Sequence, residues 1–90
     1  MSTEPSDTLL EFPCEFPIKA FGLAGPELVT HVLEIVRRHS PETGEDRVAF
    51  RSSQSGKYDA VTVTIIAQSK TQLDAIYQDL TDSSIVIMAL

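Results

Sequence analysis

Asparagine is missing from this chain, cysteine occurs once, and acidic side chains outnumber basic ones. Each shortage closes off a class of function. Cys14 stands alone, so an intrachain disulfide and a cysteine-based metal cluster are both excluded. Lys and Arg number 7 against 13 Asp and Glu, for a formal charge of −6. A general nucleic-acid binder needs the opposite sign to neutralise phosphates. No apolar run approaches the ~20 residues of a membrane span. The stretch from Met1 to Asp7 is acidic and polar, whereas a secretory signal opens basic and then turns apolar. Cytosol is therefore the expected compartment.

What remains is globular in composition, with 42% hydrophobic residues in 90. That length suits one modest core and one domain. Residues 1–10 lack a periodic apolar pattern and read as a flexible tail, from which Leu9 and Leu10, with Phe12 beyond it, are placed to dock. The domain is expected over 11–90.

Glu15 to Leu23 alternates Phe16, Ile18 and Ala20 with Pro17, Lys19 and Phe21, which is strand periodicity. Pro17 lacks a backbone N–H and should face solvent or stand near the strand start. Gly22-Leu23-Ala24-Gly25-Pro26 breaks the strand, and Pro26 with Glu27 opens a helix. Leu28, Val29, Val32, Leu33 and Val36 recur at helical spacing to about His39. Ser40-Pro41 ends the helix. An acidic loop covers 42–46. Arg47 to Ser53 reads as a strand with Val48 and Phe50 on one pleat face. Gln54-Ser55-Gly56-Lys57 reads as a hairpin turn, Gly56 supplying φ > 0. Tyr58 to Ala67 is β-branched and alternating, the strongest strand signal. Ser69 with Gln72 forms a capping box ahead of Leu73, Ile76, Tyr77 and Leu80. Asp82-Ser83-Ser84 turns the chain into a last strand, Ile85 to Leu90.

This order predicts an α+β fold, the βαββαβ ferredoxin-like arrangement, with both helices on one face of a four-stranded antiparallel sheet in the order 4-1-3-2. Phe16, Ile18, Val61, Val63, Ile65, Val86 and Met88 are expected on the covered face. Lys19, Phe21, Tyr58, Thr62, Thr64, Ile66, Ile85 and Ile87 are expected on the open face.

Known chemistries of this fold find no footing. Acylphosphatase-like activity needs a loop arginine and a water-orienting asparagine. Copper carriage needs a Cys-x-x-Cys pair. An RNA-recognition sheet needs stacking aromatics, where this chain has Ala60 and Val63. Cys14 has neither His31 nor His39 near it in sequence, and eight residues separate the two histidines, so neither nucleophilic catalysis nor a metal pair is indicated. Carboxylates Glu45, Asp46, Asp79 and Asp82 read as solvated. Arg37, Arg38, Arg47, Arg51 and Lys57 gather in the middle third, a mixed surface or a site for an acidic partner. No catalytic residue, metal site or cofactor is expected.

Leu10-Glu11-Phe12-Pro13, Phe16 through Gly22, and Pro26-Glu27-Leu28-Val29 resemble the YbeD-like family of small bacterial proteins. Ser52-Ser53 with Gly56 and Tyr58, then Val61 through Ile65, look like that family's hairpin, and Ile85-Val86 with Met88 and Leu90 like its ending. The resemblance implies an ACT-like fold and no established enzymatic activity. ACT domains commonly bind amino acids or other small ligands at a glycine-containing turn and regulate metabolic enzymes. That turn is here Gly22, Leu23, Ala24 and Gly25, followed by Pro26.

Two functions are therefore expected. The first is a non-enzymatic regulatory or interaction domain, binding an unidentified protein or a weak homodimer partner through the open sheet face. Phe21, Arg51, Ser52, Ser53, Lys57, Tyr58, Ile66, Ile85 and Ile87 would form that surface. The second is sensing of a small ligand, an amino acid or a carboxylate, at Gly22 to Gly25, where helix-start N–H groups can hold an anion, on behalf of a metabolic enzyme.

Overall fold

Alternation in the first strand sets the layer structure. In β1, Cys14–Leu23, the buried positions Ile18, Ala20 and Gly22 alternate with exposed Glu15, Pro17 and Lys19. The structure, a computed structural model, describes residues 11–90; the expected tail, with Leu9 and Leu10, lies outside the described residues. Helix α1, Pro26–His39, follows. A single 3-10 turn, Glu45–Arg47, occupies the end of the expected acidic loop. Then come β2, Val48–Ser52, β3, Tyr58–Ala67, helix α2, Lys70–Asp82, and β4, Val86–Ala89. The sheet order is β2-β3-β1-β4 with antiparallel neighbours, the ferredoxin-like arrangement that the element order predicts.

One apolar cluster joins the sheet to both helices. Ile18, Ala20, Val61, Val63, Ile65 and Ala67 meet Leu28, Val32, Leu33, Ile35 and Val36 of α1 and Leu73, Ile76 and Leu80 of α2. Ile35 widens the α1 stripe beyond the residues picked out by spacing alone, while Val29 is only partly buried. Phe12 packs against this cluster, as expected of a docking residue. Ser69 accepts the Gln72 N–H at 3.1 Å, and Gln72 Oε1 accepts the Gln68 N–H at 2.7 Å. The cap thus closes both ways, one residue earlier than in the reciprocal form. Gln72 also donates to the His39 carbonyl at 2.8 Å, tying the start of α2 to the end of α1. Gly56 has φ 77°, as the hairpin requires.

Pro17 sits in a central strand at no hydrogen-bonding loss. Lys19 exchanges both backbone hydrogen bonds with Leu90, so odd residues of β1 turn toward β4. The missing N–H of Pro17 points to that side, beyond the last pair, Lys19 with Leu90.

β4 departs from the expected phase. Phe21 stands opposite Met88, but Gly22 stands opposite Val86, so Ile87 is an extra residue in a bulge. A bulge of one residue inverts the alternation beyond it. Met88, expected in the core, is consequently 52% exposed on the open face. Ile85, expected on the open face, is half-buried and packs against the core cluster. Ile87 is 60% exposed, and Val86 is buried as expected. Phe50 shares the helix-side face with Val48 through their partners Val61 and Val63. It is nevertheless 55% exposed, because the outer strand extends past the helix layer.

Candidate interaction surface

The uncovered sheet face is assembled in cross-strand rows. Residues directly opposite in an antiparallel pair point the same way. Arg51, Ala60, Phe21 and Met88 therefore form one row across all the strands. Ala49, Thr62 and Lys19 form the next, ending at Leu90. Tyr58 and Leu23 form a third, beside the hairpin. Phe21 and Ile66 are half-buried by their neighbours, whereas Leu23, Tyr58, Met88 and Leu90 are exposed. Apolar side chains thus gather on the lower rows of this face, and a small residue, Ala60, leaves space between Arg51 and Phe21.

Basic side chains divide into two groups. Arg37 donates to the Thr43 carbonyl at 2.7 Å, Arg38 lies 4.0 Å from Asp79, and Arg47 lies 3.4 Å from Glu15. His39 meets the same Asp79 carboxylate at 2.7 Å. These groups stitch helix ends and loops together. Lys19, Arg51 and Lys57, in contrast, have no ion pair among the described residues. The Lys57 ammonium lies 5.4 Å from the Tyr58 ring centroid, a cation–π contact. The open face therefore carries unneutralised positive charge in a chain of net charge −6.

In the hairpin the serines serve the turn first. Ser53 Oγ accepts the Tyr58 N–H at 3.1 Å, and Ser55 Oγ accepts the Lys57 N–H at 3.3 Å. Ser52 points to the helix side and donates to Asp59 Oδ1 at 3.0 Å. Of the hairpin set, Arg51, Lys57 and Tyr58 are the groups turned to the open face or its margin.

The Gly22–Gly25 turn is held by its own chain. Ala24 N donates to Lys57 O at 2.9 Å, and Gly25 N donates to Asp59 Oδ2 at 3.1 Å. Asp59 is only 3% exposed and places its carboxylate at the helix start, where the dipole favours an anion. An open groove of about 600 Å³ flanks this turn, lined by Leu23, Leu28, Tyr58, Ile85 and Ile87 among others. The sequence reading missed Asp59. Its signal was a charged residue heading the inward series Asp59, Val61, Val63, Ile65. Cys14 is half-buried at the start of β1, opposite Ala67. Among the described residues no His, Cys, Asp and Glu side chains cluster to hold a metal, and no helix is long and apolar enough to cross a membrane.

A solution structure of protein HP0495 from H. pylori superposes with a TM-score of 0.70, covering 100% of this chain and 98% of that one. At 14% identity this likeness concerns the fold alone. A UPF0250 protein of Chromobacterium violaceum is 46% identical over 90 residues, the full length of both chains. Another from Edwardsiella ictaluri is 45% identical over 82 residues, covering 91% of this chain and 92% of its own. The family model described as "Protein of unknown function (DUF493)" matches residues 7–90. The YbeD-like resemblance is thereby made specific: the chain belongs to the DUF493, or UPF0250, family of small bacterial proteins.

Proposed function

We propose that this chain is a non-enzymatic interaction domain whose open sheet face receives an acidic protein segment with apolar side chains. The observation that carries this is the row Arg51, Ala60, Phe21, Met88, flanked by Lys19, Lys57, Tyr58 and Leu23. Contiguous exposed apolar groups mark partner sites. Unpaired cations beside them select a partner of opposite charge. The same charges disfavour a homodimer through this face, since a twofold contact would press Lys19, Arg51 and Lys57 toward their own copies. Regulation of another protein is the role that such a surface supports.

Sensing of a small molecule at Gly22 to Gly25 is the second reading, favoured by the groove beside the turn. There Asp59 already holds the Gly25 N–H. A ligand for that groove would be apolar or cationic rather than a carboxylate.

Amide shift mapping with synthetic peptides that mix glutamate and leucine tests the first reading. Shifts are expected at Lys19, Phe21, Arg51 and Tyr58, with binding weakened by salt. Lys19→Ser with Arg51→Ser and Lys57→Ser should weaken binding at least ~10-fold, or about 1.4 kcal/mol. Undiminished binding by this variant, or shifts confined to the helix side, would end the proposal.

A further inference from the structure

β2 is an outer strand, so one side of Val48–Ser52 has no neighbour in the sheet. The ladder decides which backbone groups face outward. Ser53 N donates to Tyr58 O at 2.8 Å, which makes these residues a hydrogen-bonded opposite pair. Such pairs alternate along an antiparallel ladder. Ala49 and Arg51 therefore turn their N–H and C=O groups inward, toward Thr62 and Ala60. Val48, Phe50 and Ser52 turn theirs outward. The side chains of these same residues lie on the helix side. Beside them runs an open groove of about 720 Å³ between α1 and β2, lined by Val29, Leu33, Glu34, Arg37 and Val48 among others. Phe50 follows one pleat repeat after Val48 and is exposed.

We infer that this edge pairs, antiparallel, with the same edge of a second copy across a twofold axis through Phe50. The edge is self-complementary in that register. Phe50 meets its own copy as an aromatic cross-strand pair. Val48 meets Ser52, so roughly six backbone hydrogen bonds form. On the open side Ala49 meets Arg51, so no cation stands directly opposite a cation, and the two Arg51 side chains are diagonal. The apolar flanks of the two α1 grooves come together over the paired rings. The opposite edge is unsuited, because β4 is four residues long and carries the bulge, and both features blunt edge pairing. β2 has neither a bulge nor a proline. A pair of five-residue strands buries less than the ~1,200 Å² of a standard interface, so the dimer is concentration-dependent. It leaves the open face uncovered and is independent of the peptide-binding reading.

Sedimentation equilibrium from micromolar to millimolar protein tests this pairing, together with amide exchange of the same samples. Mass should rise toward that of a dimer. Exchange at Val48, Phe50 and Ser52 should slow as it does so, with no change at Ala49 and Arg51. Phe50→Lys sets like charges opposite each other and should weaken the dimer at least tenfold. Lys19→Ser with Lys57→Ser lies off β2 and should lower peptide binding while leaving the dimer intact, which separates the two proposals. A monomer at millimolar concentration overturns the inference. So does a dimer with unprotected β2 amides, or one indifferent to Phe50→Lys. The exchange measurement on the unsubstituted chain decides the matter even if Phe50→Lys folds poorly.

Discussion

Asp59 holds Gly25 across 34 residues of chain: Oδ2 accepts the Gly25 N–H at 3.1 Å. Its other oxygen takes the Ser52 hydroxyl at 3.0 Å. A buried carboxylate is tolerable only with such partners, and here it binds the first turn, the hairpin strand and the start of α1 into one unit. Asp59→Ala leaves both donors without an acceptor and should cost about 1–3 kcal/mol. Asp59→Asn keeps an acceptor for Gly25 and should cost less. Denaturant midpoints at constant slope measure both, and equal stability of wild type and Asp59→Ala would refute the linkage.

The bulge in β4 makes a prediction opposite to that of a regular strand. Val86 is buried at 8% exposure and Met88 is 52% exposed. Val86→Ala should therefore destabilise the protein by about 1.5–3 kcal/mol, the worth of a buried aliphatic side chain. Met88→Ala should stay within about 0.5 kcal/mol, as surface changes do. Thermal melts of the two variants read the difference directly. A larger loss for Met88→Ala would mean that β4 runs without the bulge.

Strict alternation explains why most of the sheet was legible beforehand. Ile18, Val61, Val63 and Ile65 announce their buried face by period alone, and their partners follow from the fold order. Helix ends were legible from Pro26, Ser40-Pro41 and the Ser69–Gln72 pair. Met88 was misplaced because period two carries no mark of an inserted residue, and Ile85 because the strand begins only at Val86, so no pleat fixes its side. Ile87, a β-branched residue like its neighbours, gives no sign that it is the extra one. Val48 and Phe50 share a pleat face as their spacing indicated, but period alone does not say that Phe50 is left exposed. The candidate site was legible only in part. Tyr58, Lys57 and Arg51 stood out as chemistry within a short segment. The row of Arg51 with Phe21 and Met88, and that of Tyr58 with Leu23, depend on register, which no local pattern encodes.

Gly22 is required by close approach, whatever the turn binds. A Cβ there would lie 2.7 Å from the Ile85 carbonyl oxygen and 2.8 Å from a Leu28 methyl group. The backbone contact cannot yield without moving the start of β4. Gly22→Ala should cost about 1–3 kcal/mol, as overpacking does. Amide shifts should change along Ile85 and Val86 as well as at the turn. A variant as stable as wild type, with β4 shifts unmoved, would show that the contact is looser than this.

Tyr77 should make stability depend on pH in the alkaline range. Its phenol donates to the backbone oxygen of Leu90 at 2.6 Å. Burial pushes its pKa above the ordinary value of 10.0, because the anion is poorly solvated there. The folded state therefore holds this proton more tightly than the unfolded chain does. The stabilisation is fully present below about pH 10, the unfolded value, and is lost as pH rises through the folded value. The chain has two tyrosines, so in a Tyr58→Phe variant the phenolate absorbance reports Tyr77 alone. Its midpoint should lie above 10.0 while the protein stays folded. Tyr77→Phe should lose about 0.5–1.5 kcal/mol at neutral pH with the hydrogen bond. It should also show a shallower fall of stability with pH in the alkaline range. A Tyr77 midpoint at or below 10.0, or an alkaline slope unchanged by Tyr77→Phe, would mean that the burial of this phenol does not contribute to the pH dependence.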